Sequence, residues 1–244
     1  MINYMTIDLE EWFHGLTSTA YRPGLWPELE RRIEIGSHRL LDIFDEHSIQ
    51  ATFFVVGDLA AHRPGIVREI AERGHEIALH SNMHQKVREM TPEEFGRDLD
   101  ANIESVTDAA GCAVSGYRAP AFSVDPAKDW IWETLADKGL SYSSSIFPFR
   151  TPLYGSNDAQ ATPHRRAGVV EIPMTTARTL GQKHPFSGGF YFRALPYWFV
   201  RQTTRRENGA DRPVIFYFHP WEFDPQHPRP DFITRRERVS HYLG

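Results

Sequence analysis

The chain has 244 residues, 41% hydrophobic and 24% charged, which suits one large soluble α/β domain or two small ones. A net charge of −5 gives no basic footprint for nucleic acid, and no apolar run reaches the ~18 residues of a membrane span. The single cysteine, Cys112, excludes an internal disulfide.

The first residues, Met1-Ile2-Asn3-Tyr4-Met5-Thr6-Ile7-Asp8, show no basic start, long apolar stretch or small-residue cleavage site. A secretory signal is therefore not expected, and a cytoplasmic enzyme is. Ile2–Asp8 reads as the first strand. Gly15–Glu28, with two aromatics and two prolines, reads as a functional loop. Arg39–Glu46 is helical, with Leu40, Leu41, Ile43 and Phe44 on one side. Ala51–Val56 is the second strand, Asp58–Arg73 a helix stopped by Gly74, and Glu76–His80 the third strand. Thr91-Pro92-Glu93-Glu94 has the form of a capping box with proline at the first helical position, opening a helix to Gly111. Val114–Arg118 follows as a strand, then a helix from Asp125-Pro126 to Gly139. Strands at Leu140–Ser144, Val169–Ile172 and Val214–His219 complete the pattern, and Phe147–Arg166 between them reads as a second long loop.

Strand–helix alternation predicts a parallel α/β sheet with helices outside it; about seven strands suit a distorted, incomplete (β/α) barrel. With no linker, repeat or low-complexity tract, one domain over residues 1–244 is expected.

Several chemistry-bearing residues fall at strand ends, where such folds collect their catalytic groups. His80 and His84 are four apart, a spacing at which a helical turn would set both imidazoles on one metal. Asp8 and Glu10 share a face of an extended chain, while Glu11 points away. One carboxylate can ligate a metal and the other act as general base; a solvated acidic loop is the plainer reading. Arg118, in Gly116-Tyr117-Arg118-Ala119-Pro120, would hold Asp8 ionised and oriented if the two meet; otherwise it is a surface arginine before a turn. His219, at the tip of the apolar Ile215-Phe216-Tyr217-Phe218, is either a satisfied core residue or a general acid.

Taken together, these motifs resemble the NodB-homology polysaccharide deacetylases from about Thr6 to about Asp224. His80-Ser81-x-x-His84 is similar to that family's metal motif, Arg118-x-Pro120 to its arginine–proline motif, and Tyr217-x-His219 to its leucine-x-histidine motif. Ala51-Thr52-Phe53-Phe54-Val55-Val56-Gly57 and Gly74-His75-Glu76-Ile77 also resemble family sequence. The family places two aspartates side by side, base first and ligand second; here Leu9 follows Asp8, and Tyr217 replaces the leucine. The acidic-acidic-Trp-Phe start and His-Pro-Trp-Glu end resemble a subgroup associated with bacterial exopolysaccharide and O-antigen loci.

The resemblance implies one divalent metal, Zn²⁺ first and Co²⁺, Ni²⁺ or Mn²⁺ as alternatives, held by His80, His84 and Glu10, with Glu11 as the alternative carboxylate. It implies Asp8 as base, Arg118 as its partner, His219 as general acid and a backbone N–H near Ala121 at the oxyanion. The implied reaction is removal of an N-acetyl group from an amino sugar of a bacterial glycan or its precursor. Trp12, Phe13, Pro120, Ala121, Tyr191, Tyr217 and Trp221 are the expected substrate-binding residues, and Gly188-Gly189 a close-approach loop. Rival readings are hydrolysis of another amide (N-formyl or cyclic ureide), a non-haem iron oxygenase using two histidines and a carboxylate, or a non-catalytic glycan-binding module.

Overall fold

Period-two alternation in the first strand decides which side chains face which layer. In the computed structural model, which describes residues 2–20, 22–151, 154–179 and 181–243, β1 (Tyr4–Leu9) turns Ile7 and Leu9 into the main hydrophobic core. That leaves Thr6 and Asp8 on the opposite, interior face of the sheet. The same alternation sends Phe53 and Val55 of β2 (Ala51–Val55) to the core and Phe54 to the interior.

The remaining parallel strands are β3 (Glu76–Leu79), β4 (Gly116–Tyr117), β5 (Tyr142–Ser143), β7 (Val169–Glu171) and β10 (Ile215–Phe218). An antiparallel partner, β6 (His164–Arg166), covers the far edge. The eight strands run in the order β10-β1-β2-β3-β4-β5-β7-β6. Seven are parallel, as the alternation predicts, and the sheet curls into a half-barrel. β8 (Thr176–Thr179) and β9 (Gln182–Pro185) form a separate hairpin that the sequence reading does not contain.

Helices cover the outer face. After the short α1 (Thr17–Ala20), α2 (Ile33–Glu46) begins earlier than expected, and Ile43 on it is 40% exposed rather than in the apolar stripe. The helix expected over Asp58–Arg73 is two helices, α3 (Gly57–His62) and α4 (Pro64–Glu72). Pro64 lacks the N–H that would continue the first and disfavours helical backbone at Arg63. α5 (Pro92–Ala110) has the expected capping box, with Glu94 N–H donating to Thr91 Oγ1 at 3.2 Å and Thr91 N–H to Glu94 Oε2 at 2.8 Å. Its C-terminus is Gly111 at φ 71°. α6 (Trp130–Asp137) completes the outer layer seen in the sequence. Beyond it lie α7 (Gly189–Ala194), α8 (Tyr197–Gly209) and α9 (Arg235–Tyr242).

Within the Gly15–Glu28 stretch, of which Tyr21 lies outside the described residues, Trp26, in a 3₁₀ turn over Pro23–Glu28, joins Trp12, Phe13, Leu16 and Trp221 in a satellite cluster. Residues 152 and 153 of the Phe147–Arg166 stretch lie outside the described residues. No described helix is long and apolar enough to cross a membrane.

Candidate active site

Parallel strands present their C-terminal ends on one rim, so residues far apart in sequence converge there. β1 carries Asp8 and, just beyond its end, Glu10; β3 is followed by His80, β4 by Arg118 and β10 by His219.

Arg118 is fully buried, and all five of its N–H donors are engaged. Nη1 donates to Asp8 Oδ1 at 2.7 Å and to Thr6 Oγ1 at 2.9 Å. Nε meets the Ser144 carbonyl at 3.1 Å, and Nη2 meets Ser144 Oγ at 3.2 Å and Met174 Sδ at 3.6 Å. Its guanidinium carbon stands 4.1 Å from the Phe54 ring centroid. This fixes one oxygen of Asp8. The other faces the site, with Oδ2 at 4.0 Å from His80 Nε2 and 3.9 Å from His219 Nε2.

Glu10, His80 and His84 each bring one ligand atom within 4.8 Å of the other two. Glu10 Oε2 lies 2.6 Å from His84 Nε2 and 3.8 Å from His80 Nε2. The His80 ring is oriented from behind: Nδ1–H donates to the Arg118 carbonyl at 2.8 Å, which leaves the Nε2 lone pair facing Glu10. Burial pushes the His80 imidazole down to about 4, so it is neutral, as metal ligation requires. Burial alone would raise the Glu10 carboxyl, but the imidazoles of His84, His219 and His80 hold it well below the usual carboxylate range. The donor set therefore fits a divalent cation: two imidazoles and one carboxylate, buried together, with capacity for further ligands.

His80 and His84 do not sit on the helical turn that their spacing suggests. The segment between them is an irregular turn with Ser81 at φ 64° and His84 at φ 51°. Asp98 of α5 holds it, accepting from Ser81 Oγ at 3.1 Å and from Asn82 N–H at 3.0 Å. Gly57 lies so close that an added Cβ would stand 2.2 Å from Asn82 Oδ1. His84 is further backed by the buried His14, whose ring stacks on it with centroids 6.0 Å apart.

Glu11 lies outside this group. Its Oε2 accepts from Arg32 N–H at 3.0 Å, and burial pushes its carboxyl up to about 7.

His219 is held by a residue that the motif reading did not single out. Glu222 Oε2 accepts from the His219 backbone N–H at 2.9 Å and from Nδ1–H at 3.2 Å. Arg193 donates through Nε to the other Glu222 oxygen at 3.1 Å. Gly189 makes room for this carboxylate, since a Cβ there would lie 2.0 Å from Glu222 Oε2. Burial acts to lower the His219 imidazole, but Glu222, with Glu10 and Asp8, outweighs it and raises it to about 9. Trp221 stacks between His219, at 4.9 Å, and His241 of α9, at 3.7 Å, and its indole N–H points at Glu10 Oε1, 3.4 Å away.

The expected sugar-facing residues divide. Trp12 is only 2% exposed and donates its indole N–H to the Glu30 carbonyl at 2.9 Å; Phe13 is fully buried beside it. Both are core residues here, not rim residues. Trp221 is likewise buried, as a support for His219. Tyr217 sits in an aromatic cluster with Phe122 and Phe147, against which half-buried Tyr191 packs. Pro120 is buried, and Ala121 takes a left-handed backbone at φ 51°.

Comparison with known proteins agrees with the fold. Residues 34–142 match the family model described as polysaccharide deacetylase, and residues 144–244 match a domain of unknown function, DUF3473. The chain is 32% identical over 82 residues to the peptidoglycan-N-acetylglucosamine deacetylase of Bacillus cereus, covering 34% of this chain and 30% of that protein. It is 30% identical over 102 residues to chitin deacetylase 1 of Cryptococcus neoformans var. grubii, covering 42% of this chain and 21% of that one. The match thus spans less than a third of either relative's length. A crystal structure from Mycobacterium smegmatis, assigned to the polysaccharide deacetylases, superposes with a TM-score of 0.62 at 21% identity. It covers 99% of this chain and 90% of that one, and shares its fold. Residues 34–142 thus resemble the polysaccharide deacetylases in sequence, and the chain as a whole has the fold of that crystal structure.

Proposed function

We propose that this protein is a metal-dependent hydrolase that removes N-acetyl groups from amino sugars of a bacterial glycan or its precursor, with residues 1–244 acting as one catalytic unit. The observation that carries the reading is the convergence of Glu10, His80 and His84 beside an Arg118-fixed Asp8 and a Glu222-held His219. Relatives named as peptidoglycan and chitin deacetylases support the substrate class. The resemblance to exopolysaccharide-locus and O-antigen-locus proteins supports a secreted or surface glycan as the source of the sugar.

Glu10, His80 and His84 would hold the metal. When bound, a divalent ion supplies Lewis-acid polarisation of the amide carbonyl and makes water a better nucleophile near neutral pH. Asp8 accepts the proton of the attacking water through Oδ2, the oxygen Arg118 leaves free. The water oxygen bonds to the amide carbon, and as that tetrahedral adduct collapses the C–N bond breaks and His219 protonates the departing nitrogen, giving acetate and a free amine. Glu222 keeps His219 protonated before that step and fixes which ring nitrogen faces the substrate. The backbone N–H of Ala121 would meet the developing oxyanion.

Acetate release across a panel of N-acetylated glucosamine oligomers, peptidoglycan fragments and N-formyl analogues tests this reading. Metal-stimulated acetate release from at least one N-acetyl sugar is expected. Release of formate or ammonia alone would move the protein to another amide substrate.

A further inference from the structure

Among the described residues, one cavity lies away from the catalytic rim. It is a groove of about 490 Å³ bounded by the β8–β9 hairpin, the C-terminal half of α8 and the loop carrying Ala159 and Ala161. Arg206 and Glu207 precede β10 and His219 follows it, so the groove opens near the opposite end of that strand. At ~3.3 Å per residue, the strand sets the two on the order of 10 Å or more apart. No groove residue belongs to the catalytic group.

Four cations line it, Arg178, Lys183, Arg206 and Arg212, against one carboxylate, Glu207. Glu207 is buried, and both its oxygens are taken, by Arg212 Nε at 2.7 Å and Arg206 Nη2 at 3.4 Å. Lys183 Nζ reaches only a backbone carbonyl, that of Asn157, at 3.2 Å. Arg178 has no hydrogen bond or ion pair among the described residues. Arg178 and Lys183 are also direct cross-strand partners in the hairpin. Like charges in that position repel and destabilise the pairing unless a counter-charge lies between them.

We infer that this groove binds a phosphate-bearing ligand of about diphosphate size. The uncompensated charge matches a multivalent anion, and arginine forks suit phosphate oxygens. The groove has the volume of a small-molecule site rather than that of a single ion. Ala159, Ala161 and Thr176 leave the space open, and no aromatic side chain lines it among the described residues, so it recognises charge and not a ring face. The phosphate belongs either to a soluble diphosphate or to a lipid headgroup.

Isothermal titration of the full chain with inorganic pyrophosphate, in chelating buffer so that no metal-bound anion contributes, tests the inference. One site per chain is expected, weakened about tenfold or more in Arg178→Gln/Lys183→Gln, where charge-assisted bonds are lost. Arg201→Gln/Arg205→Gln, which removes outward-facing cations of the same helix, should leave the affinity within about twofold, because screening mutes distant exposed charge. The unliganded Arg178→Gln/Lys183→Gln protein should melt no lower than wild type, which establishes that it folds and that the repulsion was present. If pyrophosphate does not bind, but phosphatidylcholine vesicles doped with phosphatidic acid capture wild type and not this variant, the ligand is a headgroup. Binding to neither probe, or binding indifferent to Arg178 and Lys183, would overturn the inference.

Discussion

Asp8 and His219 share a design: each is fixed on one side by a buried partner of opposite charge and left open to the site on the other. For Asp8 the partner is essential to the fold as well. Removing one member of a buried ion pair leaves an uncompensated charge, so Arg118→Met should cost about 3–5 kcal/mol of stability by chemical denaturation. A loss below about 1 kcal/mol would mean that water reaches Asp8 and takes over the guanidinium's part. For His219 the partner sets proton affinity. Glu222→Gln keeps the shape but removes the charge that raises the imidazole, so the alkaline limb of the pH–rate profile should move to lower pH. Turnover should fall about 10- to 100-fold, as for other orienting partners, with metal content unchanged. An alkaline limb that stays in place would assign it to another group.

At the scale of elements, the turn after β10 depends on its packing against α2. Gly36, inside that helix, faces the Pro220 carbonyl so closely that a Cβ would stand 1.9 Å from the oxygen. Glycine inside a helix ordinarily costs about 1 kcal/mol relative to alanine. Gly36→Ala should nevertheless lower both the melting temperature and acetate release, because the turn carrying Trp221 and Glu222 must move. A variant more stable than wild type with full activity would show that this contact is not needed. Such approaches also mark where sequence reading stops. The seven parallel strands are legible because their apolar runs are short and bounded, and α5 because Thr91, Pro92, Glu94 and Gly111 punctuate it locally; the polar strands β6, β8 and β9 carry no such run. The break between α3 and α4 is equally local, since Pro64 has no N–H to continue the first helix. Glu222 was not legible as a partner of His219, since its place depends on the absent side chain of Gly189 and on Arg193, both distant in sequence. Nor was the burial of Trp12: an aromatic beside an acidic pair reads equally well as rim or core until Trp26 is folded against it.

At the scale of the molecule, the two ends of the chain close on one another around the site. β1 pairs with β10, and Arg32 forks onto Asp224 through Nε at 2.6 Å and Nη2 at 3.1 Å. Glu237 caps α9 through Thr234 and also accepts from Ser18 N–H and Oγ, both at 2.7 Å, which places His241 against Trp221. Burial by itself would raise the carboxyls of Asp224 and Glu237, but these bonds lower both below their ordinary values of 3.8 and 4.5. Depressed carboxyls bind fewer protons folded than unfolded, so their stabilisation is complete above those ordinary values and is lost as pH falls through the depressed ones. Wild type should therefore lose melting temperature between about pH 5 and pH 3 more steeply than Asp224→Asn or Glu237→Gln. Equal slopes in all three would place the acid sensitivity elsewhere.

In the proposed reaction Glu10, and not its neighbour Glu11, completes a catalytic metal site with His80 and His84. This is tested most directly by elemental analysis together with acetate release in Glu10→Gln and Glu11→Gln. Glu10→Gln should lose bound metal and activity together, with part of the rate restored by excess metal, because one anionic ligand is gone. Glu11→Gln should keep both, since glutamine reproduces the protonated form that burial already favours at that position. Full metal and full turnover in Glu10→Gln, or metal loss confined to Glu11→Gln, would rule Glu10 out as the ligand.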